Sequence, residues 1–312
     1  MTQDRKPLSA YKGPRYWPVW FGMGLLWLIC KLPHGAALAV GRFVGRLARR
    51  IAGSRRAVVR RNIELCFPDL SAKERDGLTR RHFEALGMSL IEMGIGRWAS
   101  DEKLKDLMTL EGVEHLDAAV AEERGIILLS AHFTTLEGSG RVLAMHCPPF
   151  DAVYRKNRSE FITELLRHGR EISADGTIEK RDIRQMVRSL KKARPVWYAP
   201  DQSYDRKGAE VIEFFGVPCM HTTATSTLAR LGNAIVLPYF PRRDADGSYT
   251  LRILPPLSDI PSGDLVADTN QYIAVLEEHI RTCPEQYFWI HKKFKNLPDG
   301  YPDYYADLDA SK

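Results

Sequence analysis

The chain has 312 residues, 44% of them hydrophobic, enough to bury a full core in one large domain or two smaller ones. Its 45 Lys+Arg against 39 Asp+Glu give a net charge of +6, a modest bias toward anionic partners that suits phospholipid, nucleic acid or an acidic protein equally. Cys30, Cys66, Cys147, Cys219 and Cys283 are scattered and free of CxxC spacing, which excludes a zinc framework and suggests reduced thiols on the cytosolic side.

From Trp17 to Val40 the run WPVWFGMGLLWLICKLPHGAALAV carries one charged side chain, Lys31, and is about as long as the roughly 20 apolar residues that cross a bilayer. It predicts an N-terminal transmembrane helix with Trp17, Trp20 and Trp27 suited to the headgroup zone, although Pro33 interrupts it. A buried or interfacial amphipathic helix is the alternative. The stretch GRFVGRLARRIAGSRRAVVRR that follows holds Arg42, Arg46, Arg49, Arg50, Arg55, Arg56, Arg60 and Arg61. It offers no small-residue cleavage site, so the anchor is retained, and its charge places the downstream domain in the cytoplasm and suits anionic headgroups.

Beyond Asn62, ERDGLTRRHFEALGMSLIEMGI has helical periodicity. Strand-like runs GIILLS, DAVYR, PVWYAP, AIVLPYF and YTLRIL then alternate with helical stretches such as SEFITELLRHGREI, DIRQMVRSLKKAR and TATSTLARLG. Such alternation predicts an α/β fold, a mostly parallel sheet with flanking helices. With no internal repeat or low-complexity linker, the organisation is an anchor over 1–45 and one domain over 46–312. The tail from Pro298 reads as a surface segment.

His132 lies just beyond the apolar run Ile126 to Leu129, in AHFTTLEGSG, where a buried strand gives way to a helix and where open α/β sheets gather ligands. Glu137, five residues on, projects from the first turns of that helix and can accept from one ring nitrogen, leaving the other as a general base. About one His-x4-Asp/Glu match is expected by chance. Two occur, His132–Glu137 and His146–Asp151; the second lies in HCPPFD, whose paired prolines mark a loop. A core histidine satisfied by a backbone carbonyl is the plainer alternative for His132.

Two further strands deliver polar groups to the same sheet edge. DAVYR ends in Arg155, Lys156, Asn157 and Arg158, cations that suit a phosphate or carboxylate but equally make a solvated basic loop. PVWYAPDQSYDRKG presents Asp201, Gln202 and Ser203, followed by Arg206, Lys207 and Gly208; Asp201 either pairs with an arginine to fix a site or is an ordinary turn residue. Arg170 is either functional or a surface charge. In EQYFWIHKKFK, rings and cations interleave in a manner that suits nucleic acid, a membrane surface or a packed aromatic strand; the apolar run in the same chain favours the membrane surface. There is no Walker A loop, GxGxxG, GxSxG or HExxH, so no nucleotide cofactor or metal is expected.

Taken in order, PRYWPVWFGMGLLWLICKLP, RRNIELCFPDLS, WYAPDQSYDRKG and PEQYFWIHKKFK resemble the late acyltransferases of lipid A biosynthesis, the lauroyl and myristoyl transferases, most of all the lauroyl branch. The resemblance runs from about Arg15 to Lys295. The family's His-x4-Asp/Glu motif falls on His132 and Glu137, and its other functional Arg and Asp on Arg170 and Asp201. SAHFTTLEGSG departs from some members in lacking a second apolar residue after the His-Phe pair. The resemblance implies a single-pass inner-membrane protein with a cytoplasmic domain similar to the glycerolipid acyltransferases. It implies acyl carrier protein as donor, a phosphorylated glucosamine disaccharide bearing Kdo sugars as acceptor, and inner-membrane phospholipids as neighbours, with no nucleic acid. An acyltransferase acting on glycerol phosphate or another lipid is the nearest alternative. A non-enzymatic protein that holds anionic lipid is an alternative of another class.

Overall fold

The computed structural model describes residues 6–205 and 207–310; Arg206 and the side chains of Glu137, Asp309 and Ala310 lie outside the described residues. The apolar N-terminal run is two helices, α1 (Trp17–Ile29) and α2 (His34–Ile51), not one. The turn Cys30–Pro33 ends α1, because proline lacks the N–H that would continue it, and Pro33 takes an extended conformation as the cap of α2. The expected transmembrane helix is therefore corrected. At 1.5 Å per residue α1 is about 20 Å long against the roughly 30 Å of hydrocarbon, and among the described residues no helix is long and apolar enough to cross a membrane. α2 runs through residue 45, the boundary read from the sequence.

Next come α3 (Gly53–Cys66) and α4 (Ala72–Trp98). Ser71 starts α4 with a capping box: its hydroxyl accepts from the Glu74 N–H, and the Glu74 carboxylate accepts from the Ser71 N–H at 2.8 Å. α2 crosses α4 where Gly41 and Gly45 face Gly87. A Cβ on Gly41 would stand 2.8 Å from the Met88 Cα, so larger residues would force the helices apart.

The α/β part follows as α5 (Asp101–Leu107), β1 (Met108–Glu111), α6 (Val113–Ala121), β2 (Gly125–Leu129), α7 (Leu136–Ala144), β3 (Asp151–Tyr154), α8 (Glu160–Arg170) and β4 (Gly176–Glu179). It continues through α9 (Ile183–Leu190), β5 (Val196–Tyr198), a hairpin of β6 (Ala209–Phe214) and β7 (Val217–Thr222), α10 (Ala224–Gly232), β8 (Ala234–Arg243), β9 (Tyr249–Ile253) and α11 (Leu265–Thr282). A short α12 (Ala306–Ala310) closes it. The main sheet has the order β1-β9-β8-β2-β5-β3-β4, parallel throughout except at β8–β9. The α/β fold with a mostly parallel sheet thus agrees with the sequence reading.

β2 is buried on both faces, and its side chains alternate between two cores. Ile127 and Leu129 join Val196, Val236 and Tyr272 on one side, and Ile126 and Leu128 join Trp197, Leu237 and Tyr239 on the other. The sheet order puts the C-terminal ends of β2, β5 and β3 side by side. Residues 298–303 are exposed, but the tail is not all surface: Tyr305 is buried, and its hydroxyl donates to the Asn62 side chain.

Candidate active site

After Leu129 the chain leaves the sheet and pairs with a distant segment: the Phe288 N–H donates to the His132 carbonyl at 3.0 Å, and the Thr134 N–H to Gln286 at 2.8 Å. These bonds fix the His132 backbone at the mouth of the sheet. Its ring, one-third exposed, meets a carboxylate on the neighbouring strand end. Nδ1 lies 2.6 Å from Oδ1 of Asp201, whose side chain is 2% exposed.

Burial alone would push the Asp201 carboxyl up. The adjoining His132 ring, its hydrogen bond and the nearby Lys293 ammonium outweigh that and hold the group well below the ordinary carboxylate range. An ionised Asp201 can only accept, so Nδ1 carries the hydrogen and Nε2 is left with its lone pair. The pair spans 69 positions of sequence and exists because β2 and β5 are neighbours.

Lys293 was read from the sequence as part of a membrane-facing cluster; the structure corrects this. The side chain is 3% exposed, its ammonium donates to the Asp201 carbonyl at 2.6 Å and lies 4.6 Å from the centre of the Phe214 ring. Tyr287, Trp289 and Phe294 are buried around it, making this stretch a wall of the site. Asn62 pins the wall by donating to the carbonyls of Trp289 and His291 at 2.7 and 2.8 Å. Burial, reinforced by Lys295, pushes His291 down to about 4, and burial with Lys293 pushes His221 down to about 3, so both rings are neutral near pH 7. Nothing in the sequence separates Lys293 from Lys292 and Lys295.

The other candidates divide by position. Glu137 opens the first turn of α7, as its spacing predicts, but its side chain lies outside the described residues, and the described carboxylate on the imidazole is Asp201. Arg155, Lys156 and Asn157 are exposed at the end of β3, on the same edge of the sheet. Ser203 donates to the Lys295 carbonyl at 3.1 Å, tying the loop after β5 to the wall. Arg170 donates to the Val153 carbonyl at 3.4 Å, and its guanidinium carbon lies 6.0 Å from the Trp197 ring centre. The rival pair His146–Asp151 dissolves, because Asp151 accepts from Ser189 at 2.7 Å and pairs with Arg194 at 3.1 Å, joining α9 and the turn after it to β3.

Arg170 also borders a cavity of about 40 Å³ between α7, α8 and the sheet, walled by Leu136, Gly140, Ala152, Trp197 and Tyr239. A second of about 40 Å³ is lined by Met23 and Leu26 of α1, Gly94 and Gly96 of α4, and Leu165 and Leu166 of α8. Gly169 borders both. Together they form a discontinuous, mostly apolar track, with Arg170 and Arg97 also in its lining, between the helix after His132 and the N-terminal helices.

Comparison with known proteins agrees with this architecture. Residues 5–296 match the family described as bacterial lipid A biosynthesis acyltransferase. The chain is 38% identical over 307 residues to the lipid A biosynthesis lauroyltransferase of Escherichia coli K12, covering 98% of this chain and all of the relative. It is also 38% identical over 293 residues to the palmitoleoyltransferase of the same organism, covering 92% and 94%. A lipid A biosynthesis acyltransferase of Haemophilus influenzae is 34% identical over 294 residues, covering 93% and 94%. With the match running from the N-terminal helices through the wall that carries Lys293, the chain belongs to the bacterial lipid A biosynthesis acyltransferase family.

Proposed function

We propose that this enzyme transfers a fatty acyl group, lauroyl by preference, from the thioester of acyl carrier protein to a hydroxyl on an acyl chain of a Kdo-bearing lipid A precursor. The observation that carries the proposal is the His132–Asp201 pair. An imidazole whose Nδ1–H is fixed by a buried carboxylate at 2.6 Å presents a basic Nε2 at the open end of a parallel sheet.

In this mechanism Nε2 takes the proton of the acceptor hydroxyl as its oxygen attacks the thioester carbonyl carbon. The resulting imidazolium is stabilised by Asp201. Collapse of the tetrahedral intermediate breaks the C–S bond, and the proton returns from His132 to the departing thiolate. No covalent acyl-enzyme is formed. The N-terminus of α7, which has no side-chain cap, offers backbone N–H groups to the oxyanion. Glu137, in that first turn, is a second acidic group of the site.

Arg155, Lys156 and Asn157 on the exposed edge bind the acceptor phosphates or the acidic carrier protein, and Ser203 and Arg170 organise the surroundings. The apolar track beside α7 takes the acyl chain, whose methylenes each contribute about 0.8 kcal/mol when buried. Residues 1–45 attach the enzyme to the inner membrane, and residues 46–312 catalyse on its cytoplasmic side.

The test is product mass after incubating the full-length protein with acyl carrier protein thioesters and either a lipid A precursor or glycerol phosphate. Acylated lipid A precursor is expected; acylated glycerol phosphate alone would transfer the mechanism to another acceptor, and no product with either would leave a lipid-binding protein. His132→Ala should lower kcat by roughly 10²- to 10⁴-fold. His146→Ala should keep most activity. Full turnover by a folded His132→Ala variant would defeat the mechanism.

A further inference from the structure

Helices α1 and α2 have two unlike sides. Toward α4, Leu26 of α1 packs against Gly94, and Gly41 and Gly45 of α2 pack against residues 83–91. Glu84, Gly87, Ile91 and Gly94 recur every three or four residues, which is one face of α4. Both helices are therefore laid along that face, and their outer sides look the same way. The outer side of α1 is the stripe Trp17, Phe21, Leu25, Leu28 and Leu32, with Phe21 76% and Leu28 58% exposed. On α2, Phe43, Val44, Leu47 and Ile51 point outward, with Phe43 66% and Ile51 77% exposed. A contiguous face of large apolar side chains is rare on a soluble monomer and marks an interface.

Charge says what covers it. Between Asp4 and Glu64 the sequence has no carboxylate and thirteen Lys+Arg residues. Lys12 and Arg15 stand before α1, Lys31 lies over the Trp27 ring at 4.8 Å, and the exposed Arg50 and Arg55 follow at and beyond the end of α2. A second copy of the chain, docked face to face, would oppose one cationic rim with another. Anionic lipid headgroups around buried acyl chains match both the apolar centre and the rim.

We infer that α1 and α2, laid one after the other along α4, lie in the membrane plane, dipped through their outer apolar sides into a single leaflet of a bilayer containing anionic phospholipid. This rests on the reading of the enzyme as one that acts on a membrane lipid, and it specifies how the enzyme attaches: on the membrane, not across it. Side chains facing α4 stay in protein contact, so lipid surrounds neither helix completely.

The full-length protein, added outside sealed vesicles of phosphatidylcholine with or without phosphatidylglycerol, tests this. Binding should depend on phosphatidylglycerol and weaken with salt, and tryptophan fluorescence should be quenched by lipids brominated near the headgroup end of the chains. Phe21→Asp and Phe43→Asp should each weaken partitioning by roughly 10-fold or more, yet turn over detergent-dispersed acceptor at the wild-type rate. Added trypsin should cut at Lys6 and Lys12 while the protein is bound; protection of those sites with the remaining domain accessible would show a spanning helix and overturn the inference. Unchanged partitioning by both variants, or a concentration-dependent dimer in place of vesicle binding, would overturn it as well. Wild-type turnover in detergent scores the acyl-transfer reading separately: its absence defeats that reading and leaves the vesicle result to be judged by itself.

Discussion

Replacing Asp201 by Asn keeps the size of the side chain and removes its charge. In the wild-type protein that carboxylate is buried, accepts from His132 Nδ1 at 2.6 Å and has the Lys293 ammonium on its own carbonyl. The amide of Asn can donate to Nδ1, which favours the tautomer with hydrogen on Nε2, and it does not stabilise the imidazolium formed when the acceptor hydroxyl is deprotonated. A fall in kcat of roughly 10²- to 10⁴-fold is expected, equivalent to about 3–5 kcal/mol in the barrier, with KM little changed. Loss of the charge-assisted hydrogen bond should lower stability by about 1.5–3 kcal/mol. Because the folded carboxyl is held below its unfolded value, its contribution is fully present above the ordinary carboxylate range and disappears as pH falls through the lower folded value. The stability gap between wild type and variant should therefore be the same at pH 7 and pH 5, and should close only in stronger acid. Single-turnover kinetics and urea unfolding at several pH values measure both. Wild-type kcat in the folded variant, or a gap that closes between pH 7 and 5, would refute the reasoning.

Lys293→Met retains the stem that packs on Phe214 but leaves the buried Asp201 carboxylate without this cation and its carbonyl without a donor, so Tm should fall. Acid unfolding should begin at higher pH, because Asp201 loses a cation that helps hold its carboxyl low; an acid-unfolding midpoint that does not move would make Lys293 merely structural. Arg155→Ala with Lys156→Ala should raise KM several-fold for the carrier thioester or the phosphorylated acceptor at low salt, and the effect should shrink as salt screens it. Gly140→Leu should fill the cavity beside Trp197 and shorten the longest chain transferred, with roughly fourfold discrimination per displaced methylene, read from product masses with donors of graded length.

The strands found from sequence are those buried along most of their length, such as Gly125–Leu129 throughout and Ala234–Arg243 at all but Arg242. β1 and β4 escaped notice because MTLE and GTIE lie at the sheet margins, half-buried, with no apolar run to mark them. The β6–β7 hairpin was hidden because its turn is Phe215-Gly216, both at positive φ, and a bulky aromatic at the first of these positions is not a turn signal. The N-terminal run illustrates another limit. Hydropathy counts charges over a window, and the break at Cys30–Pro33, the inward Gly41 and Gly45 and the packing on α4 do not enter that count. His132 was found from its place after a buried strand, whereas its contact with Asp201 required the order of the strands.

The dyad alone does not select a lipid: the same imidazole and carboxylate would deprotonate glycerol phosphate. Selection has to come from what surrounds it, and α1 is central to that. Met23 and Leu26 on its inner side line one of the two mostly apolar cavities, while Phe21 and Leu28 on its outer side belong to the exposed apolar stripe. A helix is only about 10 Å across with its side chains, so under the proposed roles of the cavities and of the exposed stripe one element would separate donor chain from membrane. A water-soluble acceptor gains nothing from that arrangement. An acceptor whose tails stay in hydrocarbon would, because on the proposed mode of attachment the enzyme would reach its headgroup without extracting the lipid, with the exposed Arg155 and Lys156 as the groups proposed to meet its phosphates.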